Sequence, residues 1–432
     1  MAAIGFGATG SASASLGCNG EDIAGKGSSL QKIAQENVWD PAFNTEVCAF
    51  GEEPKVSYVS AGSGAGMEEW NHNNVKKSIN TAFSFIGTDD APTAAQIANM
   101  TSVSSGAGVL TIPVAQTAIA IMADPPAGCS VESITNKDLE NVFNGSIIKW
   151  SQLEQFLTAK GGAPDPACNF RIKRVVRAEG SGTTYQIKNY FNLIRGKTKG
   201  VPCTEGATEG LATWGELETN GAGGHPNIDW PKDEGCAIPL TEIVTAAGGG
   251  ALAKFVAENS GTIGYASLPD VKSKIAECEE KGTCKNPEVL KVQYNAKKKL
   301  SEALYASPQS GETANCSTAS YTVPALARRA VSHNAANVDW SQVFGAKTNT
   351  EKSGAGYGIC TLTYALAWNK YSGPGFTAGQ EETAKDFLAE YVTATAGQED
   401  IESRYYQALP VGTSSATNVL DAAQFTAGKI GF

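Results

Sequence analysis

The chain has 432 residues, enough to bury a large core and divide into two domains, and its 41% hydrophobic and 18% charged residues are ordinary for a globular protein. The formal net charge of −10 argues against nucleic acid or an anionic membrane as partner, but not against a small anion held by local dipoles. No apolar run reaches the length of a membrane span.

Residues 1–10 are apolar and Gly-rich, and Ser11-Ala12-Ser13-Ala14 has the small residues that end an export signal, without a positive leading region. Residues 1–17 are therefore expected to be disordered or a residual export segment. Leu16-Gly17-Cys18 has the outline of a lipoprotein attachment site, although Cys18 also completes an even cysteine count. Gly25-Lys26-Gly27-Ser28-Ser29 leads into a helical pattern with Leu30, Ile33, Ala34 and Val38 on one face. Residues 56–59 read as a strand, and the turn 60–66 runs from it toward Met67. Residues 82–87 are a short apolar strand ending in Thr88-Asp89-Asp90-Ala91-Pro92. Residues 109–123 are rich in β-formers but contain Pro113, which predicts two pieces or one bent crossing segment. Residues 138–150 read as a short helix and a turn, and residues 161–166 as a loop.

The strand 171–176 and a helix carrying Ile187, Tyr190, Phe191 and Ile194 flank Arg177-Ala178-Glu179-Gly180-Ser181-Gly182-Thr183-Thr184. Residues 196–235 read as a surface excursion held by Cys203 and Cys236. Gly248–Gly250 opens a helix over 251–259, residues 261–268 form a strand, and residues 272–286 are charged and exposed apart from two cysteines. Residues 357–368 alternate like a strand, and residues 382–395 form an amphipathic helix. Alternating strands and helices argue for an α/β fold.

The ten cysteines include no CxxC pair, and only His72, His225 and His333 accompany them, so disulfides in an exported protein fit better than zinc. Cys278 and Cys284 bridge a local loop in this reading. Proximity suggests Cys18–Cys48, Cys129–Cys168, Cys203–Cys236 and Cys316–Cys360, while sequence leaves the connectivity open. The three histidines sit in polar segments and read as surface residues.

The turn 177–184 sits at a helix N-terminus, where unpartnered N–H groups and the dipole favour an anion. Gly180 and Gly182 permit close backbone approach, Ser181 and Thr183 add hydroxyls, and Arg177 supplies a planar cationic fork. The turns at 25–29 and 60–66 repeat the device; any one alone is an ordinary N-cap. As an enzyme, the chain would use Ser63 or Ser181 as nucleophile with His72 or Asp90 as base. No Gly-x-Ser-x-Gly elbow surrounds either serine, and no Walker A motif is present.

Residues 87–92, Asn144-Gly145-Ser146-Ile147-Ile148-Lys149-Trp150 and 177–184 resemble, in order and rough spacing, the phosphate-binding proteins of bacterial ABC phosphate transporters. Gly261-Thr262-Ile263-Gly264-Tyr265, Val338-Asp339-Trp340-Ser341 and the strand around 359–367 agree, so the likeness runs from about Gly25 to about Pro410. The resemblance implies an α/β, two-domain periplasmic-binding-protein (Venus-flytrap) fold, each domain a mixed sheet flanked by helices, with two hinge crossings. Domain one is expected over 18–113 and 296–432, and domain two over 114–295.

The resemblance also implies ligand contacts from Ser29 and the N–H of Leu30, from Ser63, from Asp90 as acceptor of a phosphate proton, and from Arg177, Ser181, Gly182 and Thr183. Glu179 would orient Arg177. The family usually has Thr-Phe at Ser29-Leu30 and Asp at Glu179. The implied role is high-affinity phosphate binding in the cleft between domains, without catalysis, cofactor or metal. The implied protein is an exported monomer, periplasmic or at the cell surface, that delivers phosphate to ABC transporter permease subunits. An exported phosphatase-like hydrolase, or an adhesion or sensing protein on the same fold, are the alternatives.

Overall fold

The computed structural model describes residues 18–48, 54–158, 166–196, 199–201, 213–214, 228–231, 242–295, 300–317, 319–345, 356–392 and 397–432. Its central feature is a nine-stranded mixed sheet. The strands are β1 (Ile23–Gly27), β2 (Val56–Ser60), β3 (Phe85–Thr88), β4 (Val109–Asp124), β5 (Lys173–Arg177), β6 (Ile243–Ala246), β7 (Thr262–Ser267), β8 (Glu288–Val289) and β9 (Cys360–Trp368). Their order is β2-β1-β3-β9-β4-β7-β5-β6, with β8 pairing β4 off this path. On one side β2, β1 and β3 pair in parallel; on the other β7, β5 and β6 do. The antiparallel pair β9 and β4 lies between them.

Around the sheet lie α1 (Ser63–Met67), α2 (Ala94–Thr101), α3 (Asn136–Phe143), α4 (Gly182–Arg195), α5 (Gly249–Glu258), α6 (Leu268–Lys281), α7 (Ala378–Tyr391) and α8 (Val419–Ala427). Local chemistry fixes several helix starts. Thr93 and Gln96 form a capping box on α2, and Thr377 and Gln380 form one on α7. Ser181 caps α4 by accepting from the Thr184 N–H. Asp90 is therefore not the cap of the helix that follows it.

Of the two readings of 109–123, the structure has the single crossing segment: β4 is continuous through Pro113. Its pairing with β9 shifts register between Thr363 and Tyr364, which oppose Ala115 and Pro113. Proline has no N–H for the ladder, and the carbonyl of the skipped Val114 accepts from Gln398 Nε2 at 2.7 Å. Every residue of β4 and of β9 is buried, so the alternation expected over 357–368 does not appear as alternate exposure. Both faces of these strands are covered.

Two apolar clusters sit on either side of the crossing. One spans residues 23–115 and 321–430 and contains Trp39 stacked on Tyr391 at 4.0 Å and Trp70 against Trp368 at 4.7 Å. The other spans residues 118–292, with Ala314, Cys316, Tyr357, Ile359 and Cys360. Along β4 the change falls between Ala115 and Ala118, and along β9 between Cys360 and Leu362.

Disulfides join Cys18 to Cys48, Cys129 to Cys168, Cys278 to Cys284 and Cys316 to Cys360, as proximity suggested. Cys203 and Cys236 lie outside the described residues, as do His225 and nearly all of the 161–166 loop. Two sequence expectations need correction. The described parts of 196–235 are not all surface: Lys199 is exposed, but Val201, Trp214, Ile228 and Trp230 are buried, and Trp214 packs between Phe191 and Trp230. The aromatic content of that Gly- and Pro-rich stretch outweighs its polar appearance. His72 is buried too, because the chain folds over it beside Asn71 and Asn99, whose amide donates to the His72 carbonyl at 2.8 Å.

Candidate functional site

The three Gly/Ser turns singled out in the sequence meet in space. Arg177 ends β5 and is 2% exposed. Its Nη2 donates to Ser29 Oγ at 3.0 Å, and its Nε donates to Glu179 Oε1 at 2.7 Å; Nη2 also pairs with the same Glu179 oxygen. The 60–66 turn packs on this group: the Gly64 N–H donates to the Gly180 carbonyl at 3.4 Å. A side chain at Gly62 would lie 3.1 Å from Glu179 Cγ.

Helix α5 joins them from the second half. Its N-terminal Gly248 N–H donates to Glu179 Oε1 at 3.0 Å, and the Gly249 N–H donates to Ser29 Oγ at 3.2 Å. A buried guanidinium needs a counter-charge, and Glu179 supplies it while it is itself steadied by the helix end. Asp270, 4% exposed and capped by Ser267, lies beside Gly249. Burial pushes its carboxyl up to about 6, against the pull of Ser267, Arg177 and nearby lysines.

The hydrogen bonds fix the polarity of the hydroxyls, because an N–H group cannot accept. Ser29 Oγ accepts from Arg177 and from Gly249. Ser63 Oγ accepts from the Asp89 N–H at 3.1 Å, and Ser181 Oγ accepts from the Thr184 N–H at 3.3 Å. In the described hydrogen bonds these three serines commit no proton, so each keeps an O–H to donate. Thr183 differs: its Oγ1 donates to Asp89 Oδ2 at 3.2 Å. The Leu30 N–H is also engaged, donating to Ser28 Oγ at 3.1 Å, and the Leu30 side chain is in the core.

Gly182 has no room for a side chain. A Cβ there would stand 2.7 Å from the Asp90 nitrogen and 2.8 Å from the Asp89 carbonyl carbon. The start of α4 therefore abuts the Asp89-Asp90 turn directly. Of the two carboxyls, Asp89 takes the hydroxyls: Ser28 Oγ and Thr363 Oγ1 (2.9 Å) donate to its Oδ1 and Thr183 to its Oδ2. Burial pushes its carboxyl up, opposed by those hydroxyls and by Arg177. Asp90 is 6% exposed, and burial first and the Asp89 charge second push it up to about 8. Its charge also reaches Tyr185 and Tyr364, whose hydroxyls burial already holds in the neutral form.

The sequence-predicted residues Ser29, Ser63, Asp90, Arg177, Glu179, Ser181, Gly182 and Thr183 thus lie around one locus, with the backbone of Leu30 adjoining it. Sequence reasoning left out Ser28, Asp89, Thr363, Gly248 and Gly249. Ser28 and Asp89 stood inside the motifs already quoted. The Gly248–Gly250 run was legible as a helix opening, but nothing local ties it to Ser29. Thr363, inside a fully buried strand, gives no sequence signal. Chemically the locus offers hydroxyl donors, a buried guanidinium, helix N-termini and a carboxyl that burial holds above its ordinary range, which together suit an oxyanion. Among the described residues no group of three or more His, Cys, Asp and Glu side chains could hold a metal ion.

Comparison with known proteins places this arrangement in a family. A family model described as a PBP superfamily domain matches residues 12–325. No curated protein matches the chain. Among solved structures, a high affinity periplasmic phosphate-binding protein (PfluDING) bound with phosphate is similar at a TM-score of 0.58 and 21% identity, over 90% of this chain and 91% of that one. A human phosphate binding apolipoprotein is similar at 0.59 and 19%, over 94% and 93%. A phosphate-binding protein from Stenotrophomonas maltophilia is similar at 0.56 and 19%, over 93% of each chain. At such identities the likeness speaks for the fold, and the fold agrees with it: two α/β halves, each with parallel strands, joined by two crossing strands. The chain belongs to the PBP superfamily and has the two-domain periplasmic-binding-protein fold.

Proposed function

We propose that the chain binds inorganic phosphate between its two domains and delivers it, as an exported monomer in the periplasm or at the cell surface, to the permease subunits of an ABC-type importer. Domain one is 18–113 with 296–432 and domain two is 114–295, with Ala314, Cys316 and Tyr357–Cys360 packed against the second core. Ser29, Leu30, Ser63, Asp90, Arg177, Ser181, Gly182 and Thr183 hold the anion, and Glu179 orients Arg177.

The observation that carries this reading is the buried Arg177 guanidinium bound to Ser29 Oγ, with Ser29, Ser63 and Ser181 each left a proton to donate. Fully desolvated charge-assisted donors suit a small, doubly charged oxyanion. Two further points support phosphate. Proteins of similar fold are named for binding it. Asp90, pushed up to about 8 by burial and by Asp89, can share a proton with phosphate. The four disulfides among the described cysteines suit an oxidising, exported setting. The family and the proteins of similar fold are binding proteins, which favours binding over catalysis.

Calorimetric titration of anion-stripped protein with phosphate, arsenate and sulfate tests the proposal. Saturable heat with phosphate and arsenate and little with sulfate is expected. No phosphate heat would defeat the reading, and hydrolysis of a phosphate monoester would favour the enzyme alternative.

A further inference from the structure

Asp89 follows β3, is 1% exposed, and is hydrogen-bonded to groups of both halves. Its carboxylate accepts from Ser28 Oγ, beyond β1, from Thr363 Oγ1 on β9 at 2.9 Å, and from Thr183 Oγ1 on α4 at 3.2 Å. The first two belong to the first half and Thr183 to the second. The backbone of Asp89 spans the same boundary. Its carbonyl accepts from Gln186 Nε2 of α4 at 2.9 Å, and its N–H donates to Ser63 Oγ of α1 at 3.1 Å. Between Thr183 and Gln186, Tyr185 Oη of α4 donates to the Ser341 carbonyl at 3.4 Å, and its ring meets Phe344 at 6.0 Å.

We infer that Asp89 is a positioning residue: it latches the two halves together through Thr183 and Gln186, and in doing so decides which hydroxyls face the bound anion. A buried carboxylate is tolerable only while its oxygens are hydrogen-bonded. Separating the halves removes Thr183 from Oδ2, so closure and the satisfaction of Asp89 go together. Each hydroxyl that donates to Asp89 has no proton for a ligand, which turns the hydroxyls of Ser28, Thr183 and Thr363 inward and leaves Thr183 to meet an anion through its backbone N–H at the start of α4. Ser29, Ser63 and Ser181 remain as the donors. Asparagine at position 89 keeps one acceptor oxygen and puts N–H donors in place of the other, so the hydroxyls on that side lose their acceptor and the sorting changes. The latch stands on the contacts themselves; its effect on phosphate affinity rests on the proposed function.

The test is a double-mutant cycle of Asp89→Asn and Thr183→Val, read by urea unfolding and by small-angle X-ray scattering, without phosphate and at saturating phosphate. Both single variants are expected to scatter as more open particles than the wild type, and the double variant to add little to either. A charged hydrogen bond commonly contributes about 1.5–3 kcal/mol, so the coupling should be roughly 10- to 150-fold in the unfolding constant. Phosphate affinity of Asp89→Asn should fall by roughly tenfold or more. Wild-type scattering in both variants with additive stabilities would overturn the latch. If the wild type binds no phosphate while the cycle couples, the latch holds and the proposed ligand fails. If Asp89→Asn does not fold, Thr183→Val and Gln186→Leu carry the same cycle from the other side of the boundary.

Discussion

Arg177 and Ser29 are 148 residues apart in the chain and meet through a hydrogen bond of 3.0 Å from Nη2 to Oγ. The two belong to different halves of the molecule, so this contact exists only when the halves are brought together. Ser29 gains a second donor there, the Gly249 N–H at 3.2 Å. The bond therefore sets the direction of the Ser29 proton as well as the position of the guanidinium.

Arg177→Ala should largely abolish phosphate binding while leaving the fold intact. Removing one partner of a buried charge-assisted contact commonly costs about 2–5 kcal/mol, or roughly 30-fold to several thousand-fold in affinity. Arg177→Lys should also bind worse, because a point charge cannot reach Ser29 and Glu179 together as the fork does. Calorimetry with circular dichroism as the folding control checks this; unchanged affinity in Arg177→Ala removes the residue from the site.

Discrimination against sulfate should sharpen as pH rises. Phosphate brings a proton that it can share with Asp90. Fully ionised sulfate brings none, so it depends on Asp90 holding its own proton, which becomes harder above about 8. Asp90→Asn supplies a permanent donor and should flatten the trend, narrowing the phosphate-to-sulfate ratio by roughly tenfold or more above about pH 8. Titrations of both proteins across a pH series decide it. Equal ratios in both would end the selectivity role of Asp90.

The same carboxyl makes folding pH-dependent. Its folded value of about 8 lies above the ordinary 3.8, so between those values the folded protein binds more protons than the unfolded one. Stability contributed by this group is present below about 4 and is lost as pH rises toward 8. Asp40, raised to about 7, and Asp270, raised to about 6, act in the same direction. Asp90→Asn should therefore gain stability relative to the wild type as pH rises. Urea midpoints at about pH 4.5 and about pH 8.5 measure the gain; parallel profiles would show that Asp90 ionises normally.

Gly182→Ala tests the fit between α4 and the Asp89-Asp90 turn. The new methyl would meet the Asp90 nitrogen at 2.7 Å and the Asp89 carbonyl carbon at 2.8 Å, and backbone atoms cannot rotate away. Overpacking of this kind typically costs about 1–3 kcal/mol, and displacement of α4 should weaken anion binding as well. A variant with wild-type melting and wild-type affinity would mean that the turn yields freely.

Reduction should destabilise the protein. The bridges Cys129–Cys168 and Cys316–Cys360 close separations of 39 and 44 residues and lie in the second core. A native bridge of this kind is commonly worth about 2–5 kcal/mol. Intact mass before and after reduction should show a gain of two hydrogens for each bridge, and melting should fall with it. No mass gain would show the cysteines to be thiols already.

Sequence alone determined the parts whose physics is local. Ser181 caps α4 and the apolar spacing of Ile187, Tyr190 and Phe191 buries its face, so the turn carrying Arg177 was readable as a helix N-terminus. Proximity suggested the four described bridges, but apart from Cys278–Cys284 they close 30 to 44 residues, and the fold decided their pairing. Pattern failed where burial is decided by distant chain. His72 and Trp214 sit among polar neighbours in sequence but inside the fold, and β9 alternates in type while both its faces are covered. Only the tertiary structure brought Gly249 to Ser29 and Thr183 to Asp89, across 220 and 94 residues. A hydroxyl's role depends on which donor or acceptor reaches it, and that partner is chosen by how the two halves pack, not by the residues on either side.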